Sequence, residues 1–461
     1  MIIFTSICAN YTHKARLLAE SIKKQIPDAR FIVCLTEREI PDMVKNPYFD
    51  EIILAKDIWQ ENFERFIFKH SIVEASTAVK GRFLQYLMES YEEEKFIYLD
   101  PDCYVYSDFE ELRQVLDEKP IVVCPHLLQP GNIEMELSST AHGVYNLGFL
   151  AVRKCEESRR FVNWWTERLA LFCYDDITRG IFTDQKWIDL APCFFDVEIL
   201  KHKGYDFSIW SLLDCGLEEQ DGKYFVKGDP LRFIHFSGLG AMAEKCMREW
   251  LPKGDHAFKK LYREYDEYHT LSDRDHVSET PWTYATYKDG SPISKEVRIA
   301  YRDNISWLPV QDPFALSDEI IAEKMGISIS KGEYADDTEN VYGCLEMLSN
   351  FYDIWNNGKK VIFYGAGKYG RDFYEFCRKR RLPVTAFMVS RLDGQMDHCG
   401  LPVVSVENTR FGKEDVVIVP TVKSASHEEI YHILMENGYQ NVFLVKNRKQ
   451  YDLLHQFMIR S

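Results

Sequence analysis

Short apolar runs of strand length alternate with helical periodicity through the first half of the chain, and this alternation restricts the fold more than any other feature of the sequence. Met1–Ala9 reads as a buried strand, Tyr11–Gln25 as a helix, Arg30–Leu35 as a strand again and Glu51–Leu54 as a short one. Helical spacing returns over Phe63–Glu93 and is followed by the strand Lys95–Leu99. Further strands are expected at Pro120–Cys124, Leu147–Arg153 and Leu231–Phe236, with a strongly apolar helix over Phe161–Cys173. Strands that alternate with helices pack as an α/β layer fold around a mostly parallel sheet.

At 461 residues the chain is too long for one ordinary core. From Pro252 to Lys331 the pattern loosens into a charged helix, Ala257–Tyr268, and aromatic-rich irregular chain with several prolines, expected to wrap the first domain. A helix near Tyr342–Asn356 then precedes Lys359–Tyr364, a strand that opens a second alternating unit. The expected organisation is a main domain over 1–251, an aromatic-rich extension and linker over 252–340, and a smaller α/β domain over 341–461.

Charge removes whole classes of partner. A formal net charge of −16 argues against nonspecific binding to nucleic acid or to an anionic bilayer, since both need a basic surface. A phosphate-bearing ligand would need a local cation or a metal. The twelve cysteines form no C-x-x-C pair, and several, such as Cys34 and Cys124, lie inside apolar runs, which reads as reduced core thiols. The N-terminus turns polar after about eight residues, unlike a signal peptide, and no segment approaches the roughly 20 apolar residues of a membrane span. The expectation is a cytoplasmic protein, with peripheral association with membrane assembly proteins left open.

The sharpest chemical signal is Lys95-Phe-Ile-Tyr-Leu-Asp-Pro-Asp-Cys-Tyr-Val-Tyr106, an apolar strand that ends in Asp100 and Asp102. Residues two apart on extended chain project to the same side. The exit of a parallel strand is where open α/β sheets bind ligands, and hard divalent cations favour carboxylate oxygen and bridge to phosphate. Pro101 fixes φ and stiffens the connection, although D-P-D is also turn chemistry in its own right. Leu231-Arg-Phe-Ile-His-Phe-Ser-Gly238 is a second apolar strand ending in a polar group. There the imidazole of His235 is placed to complete a coordination shell and to favour manganese over magnesium.

Six ordered segments carry a resemblance: Ala9-Asn-Tyr-Thr-His13, Ala78-Val-Lys80, Tyr98-Leu-Asp-Pro-Asp102, Val144-Tyr-Asn-Leu-Gly-Phe149, Thr183-Asp-Gln-Lys-Trp187 and His235-Phe-Ser-Gly238. With these the sequence resembles a bacterial group of GT-A fold glycosyltransferases, similar in turn to the glycogenin and lipopolysaccharide galactosyltransferase family of retaining enzymes. Trp282 to Phe314 also resembles the segment that follows the catalytic domain in the bacterial group. The resemblance implies a Rossmann-like mixed sheet that moves a sugar from a nucleotide-diphosphate donor, a UDP-sugar by expectation, to a glycan, lipid-linked or protein acceptor in surface polysaccharide assembly. Asp100, Asp102 and His235 would hold Mn²⁺ or Mg²⁺ on the diphosphate. Tyr11, Lys80, Asp100 and Asn146 would bind the donor, and Asp184 and Gln185 would line the sugar and acceptor side. Transfer with retention follows from the resemblance alone. Where the retaining family continues after its histidine with a lysine and a tryptophan, this chain reads His-Phe-Ser-Gly-Leu-Gly-Ala-Met-Ala-Glu-Lys245, and Lys245 is too displaced to take that role.

In the second unit Gly365, Gly367 and Gly370 follow a strand and precede a helix, the setting of a dinucleotide fingerprint. The next strand, Pro383–Val389, ends in Ser390 and Arg391, with no acidic residue for a ribose hydroxyl, which argues against NAD. This part resembles small Rossmann-like modules of bacterial sugar-modifying and polysaccharide-assembly proteins and reads as an accessory module without a ligand. Two alternatives to a transferase stay open: a sugar nucleotidyltransferase, disfavoured because Thr5–Tyr11 has no glycine-rich loop, and a noncatalytic scaffold, disfavoured by the intact polar set. A glycosidase is set aside, because Asp100 and Asp102 are too close to straddle a glycosidic bond.

Overall fold

A computed structural model describes residues 1–59, 62–254, 256–304, 312–325, 351, 354–392, 394, 396–407, 409, 411–423, 426–443, 451 and 454–455. The chain divides into two compact units, Met1–Lys331 and Gly332–Ser461.

In chain order the first strands of the first unit are β1 (Ile2–Ile7), β2 (Arg30–Leu35), β3 (Glu51–Leu54), β4 (Lys95–Leu99), β5 (Cys103–Val105), β6 (Ile121–Pro125) and β7 (Tyr145–Arg153). A seven-stranded sheet runs in the order Val197–Ile199, β6, β7, β4, β1, β2, β3. Its pairings are parallel except those of β7, which lies antiparallel to both β4 and β6. The near-continuous apolar run of β1 is buried along its whole length because both faces of the sheet are covered. Alternation along the strand sends Phe4 into one core with Phe83, Phe96, Tyr98 and Trp165, and Ile3 into the other with Leu18, Ile22 and Ile97.

Three expectations need correction. The helical stretch Phe63–Glu93 is three helices, Phe63–Phe68, Ile72–Ala78 and Lys80–Ser90. A capping box starts the second of them, with the Ser71 side chain accepting from the Glu74 N–H and the Glu74 carboxylate accepting from the Ser71 N–H. The strand expected at Leu231–Phe236 is shorter, Phe233–His235, and stands outside the main sheet, paired antiparallel with β5 so that His235 faces Cys103. The stretch after Pro252 is also more regular than its composition suggests, with helices Ala257–Ser272, Lys295–Asn304 and Asp318–Met325.

Aromatic residues of that stretch enter the first core: Trp282, Tyr284, Tyr301 and Phe314 join the cluster that holds Phe4 and Phe83. Buried polar groups fix it in place. Trp282 Nε1 donates to the Thr36 carbonyl at 2.9 Å, and the Thr283 N–H donates to Glu37 Oε2 at 2.9 Å. The buried guanidinium of Arg298 donates to the carbonyls of Phe68, His70 and Tyr284. Glu37 Oε1 in turn accepts from the Ala9 N–H at 2.8 Å, so this segment supports the turn that follows β1.

The second unit has a five-stranded sheet in the order Asp397–His398, Leu401–Ser405, Ala386–Val389, Lys360–Tyr364, Val416–Pro420. All neighbours are parallel except the first pair. The helix Lys368–Lys379 lies between the first two strands in sequence, and the order of the parallel strands is that of a doubly wound sheet. A side chain at Gly370 would place its Cβ 2.0 Å from the Gly365 carbonyl oxygen, so this glycine is what lets the helix pack on the loop. The helix expected over Tyr342–Asn356 and the expected boundary at 340–341 fall almost entirely outside the described residues, where only Phe351 and the short turn Ile354–Asn357 overlap them. Among the described residues no helix is long and apolar enough to cross a membrane.

Candidate functional site

β4 carries the chain to Asp100, whose N–H donates to the Gly148 carbonyl of β7 at 2.9 Å. The Cys103 N–H donates back to the Asp100 carbonyl at 3.0 Å, which closes a tight turn around Pro101 and starts β5. Because β5 pairs with Phe233–His235, the Phe236 N–H reaches the Asp102 carbonyl at 2.9 Å. Two segments 130 residues apart in sequence are thereby locked in register, and His235 is carried over both aspartates.

His235 Nε2 lies 3.2 Å from Asp102 Oδ1 and 3.6 Å from Asp100 Oδ2. One ligand atom from each of the three residues falls within 4.8 Å of the others. A divalent ion holding ligands at about 2.1 Å in octahedral geometry keeps neighbouring ligand atoms about 3 Å apart, so two carboxylates and one imidazole at these separations could hold a divalent cation. Asp100 and Asp102 are both partly buried. Their side chains are 27% and 17% exposed, because Lys80, Lys14 and His235 crowd around them.

Charge in the site is dense and paired. Burial opposes ionisation of Asp102, but His235 and Lys14 outweigh it and hold the carboxyl well below the usual carboxylate range. Burial likewise disfavours charge on His235, yet the surrounding carboxylates of Asp102, Asp206 and Asp100 raise it well above an ordinary histidine. Lys80 begins its helix almost fully buried, with Nζ 3.2 Å from Asp100 Oδ1, 3.0 Å from Asp184 Oδ2 and 4.1 Å from the centroid of the Tyr98 ring. Desolvation acts against that ammonium, and Asp100 and Asp184 overcome it to keep the group protonated. The Tyr98 hydroxyl donates to the same Asp100 oxygen.

Lys80 therefore joins Asp100 to the second candidate group. Asp184 is buried, and burial raises its carboxyl against the pull of Lys80. Gln185 spends its amide on backbone: Oε1 accepts from the Leu147 N–H at 2.9 Å, and Nε2 donates to the His142 carbonyl at 3.2 Å. Asn146 is buried beside it, its Oδ1 accepting from the Gly148 N–H at 3.1 Å. These three residues gather where β7 enters the sheet.

Tyr11, 38% exposed, lines a cleft of about 190 Å³ with Ser6, Ser76, Lys80, Asp100 and Asp102. Lys14 stands 4.7 Å over the Tyr11 ring and 3.7 Å from Asp102 Oδ2, an addition that sequence reasoning missed although it follows the first motif directly. His13 of that motif is engaged elsewhere, with its Nε2 3.0 Å from His269 Nε2.

Two further residues support the site: Asp206, which no motif of the sequence singled out, and Gly148, which lies inside one without a role having been read for it. Asp206 is buried in a left-handed conformation, φ +50°, with Oδ1 3.5 Å from His235 Nδ1. Gly148 is where the imidazole meets the sheet: a Cβ there would lie 2.2 Å from His235 Nδ1 and 2.4 Å from Cε1.

No known protein-family profile matches the sequence. Over 247 residues, 52% of this chain and 78% of the other, it is 21% identical to the uncharacterized protein YfnD of Bacillus subtilis (strain 168). Among solved structures, an active-site mutant of LgtC aligns with TM-score 0.36 and 14% identity over 61% of this chain and 98% of that one. GlyE, a glycosyltransferase of Streptococcus pneumoniae, aligns with TM-score 0.36 and 12% identity over 97% of this chain and 92% of that one. Mouse xyloside xylosyltransferase 1 aligns with TM-score 0.32 and 13% identity over 51% and 97%. The chain is thus similar in sequence to a protein of unstated activity and, at low identity and low TM-score, to structures of glycosyltransferases.

Proposed function

We propose that the first unit is a metal-dependent glycosyltransferase that takes a sugar from a nucleotide-diphosphate donor, a UDP-sugar in the first instance, and passes it to an acceptor hydroxyl with retention. The observation that carries this reading is the Asp100, Asp102 and His235 triangle at the exit of β4, opening on a cleft that Tyr11 and Lys80 also line. When bound, a divalent ion supplies Lewis-acid stabilisation of the charge on a departing diphosphate. The protein's own part is positional. Asp100 and Asp102 present carboxylate oxygen to the ion, and His235 presents Nε2. Lys80, held protonated by Asp100 and Asp184, adds fixed positive charge where the donor's phosphates would lie. Tyr11 offers a ring face at the mouth of the cleft for the base. Asn146, Asp184 and Gln185 do not line that cleft; on this reading they lie behind it on the sugar and acceptor side, with the amide of Gln185 held rigid by its backbone hydrogen bonds. On this reading the protein works in the cytoplasm, and the second unit is a Rossmann-like accessory module.

Hydrolysis of a panel of nucleotide sugars, followed across a Mn²⁺ titration with a thermal melt alongside, tests the proposal. Asp100→Ala and Asp102→Ala should each remove metal-dependent turnover. Near wild-type turnover in both variants defeats the metal reading.

A further inference from the structure

We infer that Asp206 is the positioning residue for His235: its buried carboxylate accepts the Nδ1 proton of the imidazole and leaves the Nε2 lone pair to the divalent cation. The inference rests on the metal reading of Asp100, Asp102 and His235.

The two faces of the ring carry the argument. Nε2 points at the metal aspartates, 3.2 and 3.6 Å away, while Nδ1 points at Asp206 Oδ1, 3.5 Å away. Neither Nδ1 nor either carboxylate oxygen of Asp206 has a formed hydrogen bond among the described residues, and all three atoms are out of contact with water. A buried carboxylate with no partner is strongly disfavoured, so these two groups are each other's natural counterpart, and a closure of about 0.5 Å makes the bond a normal one. Asp206 also holds a backbone conformation, φ +50°, that aspartate adopts with some strain, which the surrounding chain must maintain.

The ring has little freedom other than a half-turn about its own bond to Cβ. Gly148 presses on Nδ1 and Cε1 from the sheet side, where no Cβ fits, and the main chain of His235 is held by its N–H donating to the Phe207 carbonyl at 2.8 Å. A half-turn would exchange nitrogen for carbon at both ends, facing carbon to the cation and carbon to Asp206. Asp206 selects the orientation in which both nitrogens are used. A ligating histidine whose other N–H is held by a carboxylate has a fixed tautomer and a more basic donor atom, and loss of such a partner typically lowers metal affinity by about 10- to 100-fold.

The test uses the full chain and Mn²⁺ alone, with binding read by calorimetry and by the electron spin resonance of the free ion, so that no turnover is needed. Asp206→Ala should weaken Mn²⁺ binding by about 10- to 100-fold. Asp206→Asn, which keeps an acceptor oxygen, should lose clearly less. Long-range ¹⁵N–¹H spectra of histidine-labelled protein in Mg²⁺, with the His235 signals identified by their loss in His235→Gln, should show the proton on Nδ1 in the wild type and a mixed tautomer in Asp206→Ala. Asp102→Ala serves as the arm for the metal reading itself. Wild-type affinity or an unchanged tautomer in Asp206→Ala, with binding lost in Asp102→Ala, overturns the role of Asp206. Unchanged Mn²⁺ binding in Asp102→Ala, or none in the wild type, overturns the metal reading and the inference with it. Should Asp206→Ala fail to fold, Asp206→Asn decides: affinity equal to wild type with a mixed tautomer refutes the inference.

Discussion

Replacing Gly148 by alanine is the smallest change that should disable the site. The added methyl would lie 2.2 Å from His235 Nδ1, against roughly 3.4 Å for ordinary contact, so the imidazole must retreat by about 1.2 Å. The strand cannot yield instead, because β7 is paired on both edges in the middle of the sheet. A shift of that size takes Nε2 out of reach of an ion held by Asp100 and Asp102. Mn²⁺ affinity should fall at least about tenfold, or about 1.4 kcal/mol. Overpacking of this kind costs about 1–3 kcal/mol of stability, which for a unit spanning Met1–Lys331 lowers Tm by roughly 1–4 °C. The origin of the loss is separable. In a His235→Ala background the atom that would clash is gone, and Gly148→Ala should then be neutral within about 0.5 kcal/mol. Melts of the four proteins of this cycle, with Mn²⁺ titrations of the two that keep His235, are the assay. Equal destabilisation in both backgrounds, or wild-type Mn²⁺ affinity in Gly148→Ala, refutes the reasoning.

Removing the buried ammonium in Lys80→Met leaves Asp184 without its ion-pair partner and should cost about 3–5 kcal/mol in denaturant unfolding. Adding Asp184→Asn should restore most of that, and a double variant no more stable than Lys80→Met counts against the pair. Stability should also fall on mild acidification. Burial, then the neighbouring His269, lowers His13 to about 4, and burial lowers His126 to about 4. An unfolded chain takes up both protons near pH 6.5, so stability present above that pH is lost as pH drops towards 4. A Tm that stays level between pH 7 and 5, or a His13→Gln variant with an undiminished slope, contradicts this assignment.

The parts of the fold that were legible are those written in contiguous residues. β1, β2 and β3 carry their burial in their own apolar runs, and their bounds match the reading to within two residues at each end. Phe63–Glu93 misled because apolar periodicity carries across a cap: Ser71 and Glu74 start a new helix without interrupting the spacing. The direction of β7 was also illegible. Its all-buried pattern is the one a parallel central strand would show, and only its pairing with β4 and β6 reveals that it runs the other way. The aromatic stretch after Pro252 looked irregular for a related reason, since Trp282, Tyr284 and Tyr301 pack into the first core, most of whose other members lie far away in sequence.

The site divides along the same line. Asp100 and Asp102 stand at the end of an apolar strand, and their chemistry can be read from five neighbours on either side. What holds them cannot, because each support is a contact between distant segments: Lys80 with Asp184, Glu37 with Ala9 and Thr283, His235 with Asp206. Gly148 is the instructive case. Within its motif it reads as one more small residue on a strand, and its necessity appears only when an imidazole from nearly ninety residues further on is packed against it. On the proposed metal reading, the geometry required of Asp100, Asp102 and His235 is thus imposed by residues outside that set. Substitutions at Gly148 and Asp206 should change metal affinity while leaving every candidate ligand in the sequence intact.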